Sequence, residues 1–273
     1  MKLLITHKKN IFFLSFLVYG MVFLSGCGSA NQVISNWQSD EIKIDGSLSD
    51  WNRNIQKVKE EGISVGFRND DKFLFICLAS EHRGRILTLL KDGLTVWFEP
   101  ESGENNIFGI QYPMSSPQIK FRDISEMVQG GMRGEDPEKM IKGLIDQQNE
   151  LQIINRDRFP VTALPILNDE GIEVRLEYRS NQLIYEMKVP LMAKKGFSYA
   201  VDTAPGGKIK IRFESEELIE DSKGGIKSIG LAGGGYDNRT SHMGKRRGTA
   251  GGIMAETLHH EVELKLDSAP VIR

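Results

Sequence analysis

Cysteine is scarce in this chain of 273 residues, which contains only Cys27 and Cys77. A disulfide framework or a cysteine-based zinc site is therefore excluded. Basic and acidic residues are nearly balanced, 35 against 37, for a formal net charge of −2. The chain thus lacks the excess of basic residues that is typical of nucleic-acid-binding proteins, and we expect no nucleic-acid partner.

Recognisable catalytic motifs are also missing. The sequence contains no P-loop, no Cys/His spacing typical of a metal site and no paired-acid motif. Gly62-Ile63-Ser64-Val65-Gly66 matches the pattern G-x-S-x-G only formally, because it lies in an alternating stretch typical of a strand. His259 and His260 are neighbours on a predicted strand and would point to opposite faces. We therefore expect a non-catalytic protein without a cofactor or a metal ion.

The N-terminus contains the most specific signal in the sequence. Positive residues precede an apolar run of about 14 residues, 11–24, which is too short to span a bilayer and typical of a secretory signal peptide. The run ends at Leu24-Ser25-Gly26-Cys27, which resembles the bacterial lipobox. This resemblance implies that residues 1–26 are a lipoprotein signal peptide and that Cys27 is acylated, for example with palmitate. An ordinary secretory peptide that happens to contain a cysteine is the alternative.

Acylation of Cys27 would anchor the mature protein in a lipid bilayer, because two or more acyl chains give stable attachment. Gly28 follows the cysteine. By resemblance to enterobacterial sorting rules, the absence of Asp at that position favours the outer membrane over the inner membrane. We therefore expect a lipid-anchored protein of the cell envelope. The remaining thiol, Cys77, lies in an apolar run and is expected to be a buried structural residue.

Residues 41–267 show the patterns of an all-β domain. Residues 63–78 and residues 172–189 both predict β-hairpins, since apolar residues alternate on either side of a turn. About ten short strands separated by turn residues predict an antiparallel β-sandwich of the jelly-roll or immunoglobulin-like type. Residues 27–40, which precede this domain, are interpreted as a lipidated polar tether.

Two segments depart from the strand pattern. Residues 113–165 are interpreted as an insertion that contains one helix, at residues 139–149, because Asp136 is a suitable N-cap and Pro137 follows it. Residues 224–252 are rich in glycine and show no periodicity, which predicts a long loop before the last strand.

Four motifs between residues 41 and 191 resemble those of family 9 carbohydrate-binding modules and related DOMON-like domains. They are Ile42-Lys43-Ile44-Asp45-Gly46-Ser47-Leu48-Ser49-Asp50-Trp51, the hairpin of residues 63–78, Leu94-Thr95-Val96-Trp97-Phe98-Glu99-Pro100, and Leu183-Ile184-Tyr185-Glu186-Met187-Lys188-Val189-Pro190-Leu191. The resemblance implies a β-sandwich and a carbohydrate-binding function. Within the motifs, we interpret Gly46, Trp51 and Glu186 as residues that maintain the fold rather than contact a ligand.

In sugar-binding members of this group, exposed aromatic rings cover the apolar face of a pyranose and polar side chains bind its hydroxyl groups. Trp97 is a candidate on a predicted strand. Tyr236 is a candidate in the glycine-rich loop, beside the polar residues Asp237, Asn238 and Arg239. The two tryptophans that sandwich the sugar in xylan-degrading members have no counterpart here. We predict a module that binds a polysaccharide at the cell envelope.

Two other functions remain open. The first is an envelope scaffold whose sandwich binds a protein partner and no small ligand. The second is electron transfer through b-type haem, which some DOMON-like relatives bind, with Met187 or the pair His242-Met243 as ligands. Methionine in a β-domain more often fills gaps in the core, so haem is the less favoured of the two.

Overall fold

The computed structural model describes residues 32–51, 54–101, 107–115, 136–155, 161–194, 196–215, 218–220, 226–228 and 257–270. Within these ranges, no helix combines the length and the apolar character needed to cross a bilayer. The predicted signal peptide and Cys27 lie outside them.

Two β-sheets enclose one hydrophobic core and confirm the predicted β-sandwich. Sheet A has, in spatial order, β1 (Val33–Ile34), β15 (His259–Lys265), β12 (Lys208–Glu214), β6 (Thr95–Pro100), β7 (Phe108–Gln111), β8 (Glu150–Asn155) and β9 (Thr162–Pro165). Sheet B has β10 (Glu173–Arg179), β11 (Gln182–Pro190), β5 (Phe73–Ser80) and β4 (Ile63–Asn69), and both β2 (Asn36–Trp37) and β3 (Ile55–Val58) pair with β4.

The two predicted hairpins form the centre and one edge of sheet B. In the second hairpin, Ser180 and Asn181 both have positive φ, 52° and 62°, which is the backbone geometry of a tight two-residue turn. This turn sets a register in which Val174 faces Met187. The alternating apolar residues of both strands then point into the core, as predicted, whereas Ile184 points to the outer face.

The sandwich begins earlier in the chain than expected. Residues 27–40 were predicted to be a tether, yet β1 pairs with β15 in sheet A and β2 pairs with β4 in sheet B. The compact unit accordingly starts at Val33. Residues 41–44 form no strand, although Ile42 and Ile44 pack on the outer surface of sheet B.

Two α-helices and a short 3-10 helix (Ser49–Trp51) accompany the sheets in the described part of the chain. The predicted helix is confirmed as α2 (Pro137–Asp146), and the carboxylate of Asp136 accepts a hydrogen bond from the N–H of Glu138 at 3.0 Å. The other helix, α1 (Arg83–Asp92), was not predicted. A short strand pair, β13 (Leu218–Glu220) and β14 (Ile226–Ser228), also corrects the start of the predicted loop of residues 224–252.

Candidate functional site

The carboxylate of Glu186 anchors the loop of residues 45–51 to the outer face of sheet B, the face turned away from the core. Glu186 points to this face because the residues on either side of it fill the core, yet its side chain is fully buried. One oxygen accepts a hydrogen bond from the N–H of Gly46, and the other accepts one from the indole N–H of Trp51, both at 2.5 Å. Gly46, Trp51 and Glu186 therefore maintain the fold, as predicted.

Burial dominates the electrostatics around Glu186. It raises the pKa of the carboxyl above its ordinary value, and the hydrogen bonds from Trp51 and Gly46 oppose this rise without cancelling it. The neighbouring thiol of Cys77 is 0 % exposed. Burial, together with the charge of Glu186, raises the pKa of that thiol, so Cys77 is the inert structural residue that the sequence predicts.

A groove of about 540 Å³ lies beside this loop on the outer face of sheet B. Small residues form its floor. Ser64 on β4 and Ala79 on β5 are register partners, and Gly62 lies just before β4. Further along the same face of β5, Phe75 is buried among the residues under the loop. The change from large to small side chains along the sheet therefore creates the hollow.

The wall of the groove next to the loop is apolar. Leu48 and Trp51 come from the anchored loop, and Ile55 and Val58 come from β3. Leu48 and Ile55 also pack against the buried cluster on this face of the sheet. Because Glu186 fixes Trp51, the wall is held in place rather than left to move with the surface.

Polar side chains also line the groove, namely Lys57 and Lys59 next to the apolar residues of β3, Glu81 and His82 after β5, and Gln182 on β11. The amide of Gln182 donates a hydrogen bond to the carboxylate of Glu81 at 3.1 Å. His82 lies over Gly62, where an added Cβ would be 3.0 Å from that of His82. Gly62 also has φ of +62°, so this corner of the groove depends on glycine.

This arrangement suits a ligand that has one apolar face and a polar edge. The volume of the groove lies within the range of small-molecule sites. Leu48 and Ile55 offer contact to C–H groups, and Gln182, Glu81 and His82 offer both donors and acceptors of hydrogen bonds.

Trp97 lies on the outer face of sheet A and not in this groove. Its indole covers Gly109 on β7, where an added Cβ would lie 2.8 Å from the ring. The guanidinium of Arg212 on β12 lies 5.8 Å from the ring centre. Only 3 % of Trp97 is exposed, so a sugar cannot stack on the indole in this conformation. The ligand-binding role of Trp97 stays a prediction.

Other residues selected from the sequence are placed as follows. Tyr236, Asp237, Asn238, Arg239 and the pair His242-Met243 lie outside the described residues, and their roles stay predictions. Met187 is fully buried in the core. His259 and His260 point to opposite faces, as predicted. The His259 side chain is 63 % exposed and lies 3.4 Å from Glu214, whereas His260 stacks on Phe213.

The sequence did not predict that the residues lining the groove form a site. Lys57, His82 and Gln182 come from separate stretches of the chain and share no spacing that marks a site. The only local signal is the presence of small residues, Ser64 and Ala79, at outward positions of predicted strands. Such a signal becomes informative only when the register of β4 and β5 is known.

Comparison with known proteins gives structural neighbours alone. No family model matches the chain, and no curated protein matches it significantly. A family 9 carbohydrate-binding module from Caldicellulosiruptor kristjanssonii, solved with cellotriose, is 10 % identical with a TM-score of 0.36, over 89 % of this chain and 97 % of the module. The same source gives a module solved with glucose, at 13 % identity and a TM-score of 0.34, over 88 % and 98 %. A candidate carbohydrate-binding protein from Bacteroides uniformis is 11 % identical with a TM-score of 0.38, over 87 % and 100 %. Likeness at this level does not transfer a ligand to this chain.

Proposed function

We propose that this protein is a non-catalytic glycan-binding module, anchored at the cell envelope through acylated Cys27, and that the groove on sheet B binds a pyranose unit. The observation that carries the proposal is a groove of about 540 Å³ that is lined both by the apolar Leu48 and Ile55 and by the hydrogen-bonding side chains of Gln182, Glu81 and His82. The motifs that resemble family 9 modules support the ligand class. The lipobox-like sequence at Cys27 supports the anchor.

Different side chains of the groove bind the apolar face of the sugar and its hydroxyl groups. The C–H face of the sugar lies on Leu48 and Ile55, where removal of apolar surface from water contributes affinity. The hydroxyl groups bind Gln182, Glu81 and His82. Since Gln182 and Glu81 already bond to each other, they are oriented before the ligand arrives, which lowers the entropy cost of binding.

The first test is affinity electrophoresis of the full chain in detergent, through gels that contain xylan, cellulose derivatives, glucans or peptidoglycan fragments. We expect one polysaccharide to retard the protein selectively and its oligosaccharide to compete. Ser64→Trp fills the floor of the groove and should abolish retardation. Ala163→Trp is the matched control, because it adds the same indole at an exposed position on β9 and should leave retardation unchanged.

Circular dichroism and a thermal melt would establish that both variants are folded. If Ser64→Trp is folded and still retarded like the wild type, the groove is not the site. Tyr236→Ala then becomes the decisive variant, because the glycine-rich loop was the site expected from the sequence. If no gel retards the wild type, the glycan proposal fails for those polysaccharides and an envelope scaffold becomes the better interpretation.

A further inference from the structure

Two lysines that line the groove on sheet B give it a positive charge. Lys57 lies on β3 and Lys59 follows that strand. Both side chains are exposed, and neither forms an ion pair or a hydrogen bond with any residue that the structure describes. By contrast, Lys188 on the same outer face of sheet B lies 2.6 Å from the carboxylate of Glu173. The ammonium groups of Lys57 and Lys59 are therefore available to an anionic group of a ligand.

The register of sheet B places Lys57 beside the floor of the groove. Lys57 is the partner of Ser64 on β4, and Ser64 is the partner of Ala79 on β5. Partners of this kind have Cβ atoms about 5 Å apart. Ser64 is half-buried, and its hydroxyl makes no hydrogen bond with the described part of the chain. A ligand group that rests on Ala79 and Ser64 is thus within reach of a hydroxyl donor and of the Lys57 ammonium.

The acidic side chains around the groove do not neutralise these lysines. Glu81 accepts a hydrogen bond from Gln182 at 3.1 Å, and Glu61 lies 2.8 Å from the guanidinium of Arg85. Glu60 is exposed and does not line the groove. The described lining consequently has two ammonium groups against one carboxylate, although the whole chain has a formal net charge of −2. This local excess of positive charge favours a ligand that has a negative group.

A uronic acid combines the features that the groove requires. Its ring keeps the apolar C–H face that lies on Leu48 and Ile55, and it has a carboxylate in place of the hydroxymethyl group of a neutral hexose. Carboxylates accept strong hydrogen bonds from ammonium and hydroxyl donors. We infer that the groove selects acidic glycans, and that Lys57, Lys59 and Ser64 bind the carboxylate of a uronic acid unit. This inference rests on the proposed function, because it assigns a class of sugar to the same groove.

Calorimetric titration of the full chain in detergent with matched oligosaccharides tests the inference. The probes are an oligomer of galacturonate and an oligomer of glucuronate, each compared with its methyl ester, which keeps the ring and removes the charge. We expect one of the two acids to bind at least about 10-fold more tightly than its ester, and we expect high salt to reduce this preference, because the lysines are exposed. Equal affinity of each acid and its ester would overturn the inference.

Variants test whether the two lysines are the source of the preference. The double variant Lys57→Gln, Lys59→Gln should weaken binding of the acid about 10-fold and leave binding of the ester nearly unchanged. The double variant Lys72→Gln, Lys265→Gln is the matched control. It changes the net charge by the same amount, at an exposed position in the turn between β4 and β5 and at another on β15, and should leave the preference unchanged. Equal effects of the two double variants would show that net charge, and not the groove, sets the preference.

The inference and the proposed function fail in different ways. If the esters bind, Ser64→Trp removes that binding and the acids bind no more tightly, the proposed function stands and the inference is wrong. If the preference for an acid persists in Ser64→Trp, the acid binds outside the groove and the inference is again wrong. If no polysaccharide retards the protein and no oligomer binds, both fail.

Discussion

The hydroxyl group of Tyr185 is buried at the centre of the core, where it makes no hydrogen bond. Its ring is 0 % exposed and lies 6.5 Å from the ring of Tyr112. A tyrosine at this position therefore combines a favourable apolar ring with an unsatisfied polar group. The unsatisfied hydroxyl group could not be predicted from the sequence, because the alternation of β11 indicates only that residue 185 faces inward.

Tyr185→Phe should raise the free energy of unfolding by about 1 kcal/mol, because the variant keeps the ring and removes the unsatisfied hydroxyl. Urea unfolding followed by circular dichroism measures the change. Tyr178→Phe is the matched control, since the hydroxyl of Tyr178 donates to the side-chain oxygen of Asn181 at 3.3 Å and its removal should bring no gain. A loss of stability in Tyr185→Phe would contradict the assignment of an unsatisfied group.

Glu186→Gln should lower the free energy of unfolding by about 2 kcal/mol, because an amide supplies one acceptor where two N–H donors need one each. The pKa of Glu186 is raised in the folded state. The contribution of its titration to stability is therefore largest below the ordinary pKa and is lost as the pH rises through the folded-state pKa. The difference in the free energy of unfolding between the wild type and Glu186→Gln should consequently become smaller as the pH rises. Urea unfolding across that pH range, with exposed Glu150→Gln as the control, measures it, and a gap that widens with pH would refute this account.

At the scale of elements, residues 33–37 form a clasp that connects the two sheets. Between β1 and β2, Ser35 is buried and its N–H donates to the carbonyl of Lys265 at 3.0 Å. The side chain of Asn69, at the end of β4, accepts from the N–H of Asp267 at 3.0 Å and donates to the carbonyl of the same residue at 3.1 Å. Ser35 and Asn69 also bond to each other. Three distant parts of the chain thus meet in one buried polar network.

Asn69→Ala should lower the free energy of unfolding by about 2 to 3 kcal/mol, because it leaves the partly buried backbone groups of Asp267 and the hydroxyl of Ser35 with fewer partners. Asn36→Ala, at an exposed position in the clasp, should change it by less than about 0.5 kcal/mol. Chemical denaturation of the three proteins makes the comparison. Equal effects of the two substitutions would show that the network does not hold the sheets together.

Elements with strong local patterns were predictable from the sequence, and those without them were not. The hairpin of β10 and β11 was predicted because its alternation and turn are both local. The clasp was missed because two-residue strands have no periodicity, and its partners Asn69 and Asp267 are 34 and 232 residues from Ser35. Helix α1 was missed because residues 84–90 are buried all round and no side chain caps its start. A helix of this kind shows neither an amphipathic stripe nor a start signal.

At the scale of the whole molecule, the position of the groove follows from the sandwich. The inward-facing residues of both sheets pack in the core, so only outward-facing residues can bind a ligand. The fold does not determine which residue types occupy these outward positions. The groove combines residues 48–82 with the distant Gln182 of β11. Its residues share no spacing that marks a site and could not be recognised from the sequence, whereas the class of the fold could.

Cys27→Ser should abolish acylation of the protein, because Cys27 is the predicted acceptor of the lipid. Expression of the full chain in bacteria with labelled palmitate measures acylation. We expect label in the wild type and in Cys77→Ser, and none in Cys27→Ser. Cys77 is the matched control, because its thiol is 0 % exposed and its pKa is raised by burial, so it offers no alternative acceptor for the lipid. Label that persists in Cys27→Ser would show that the lipobox-like sequence does not direct acylation, and residues 1–26 would then be interpreted as an ordinary secretory signal.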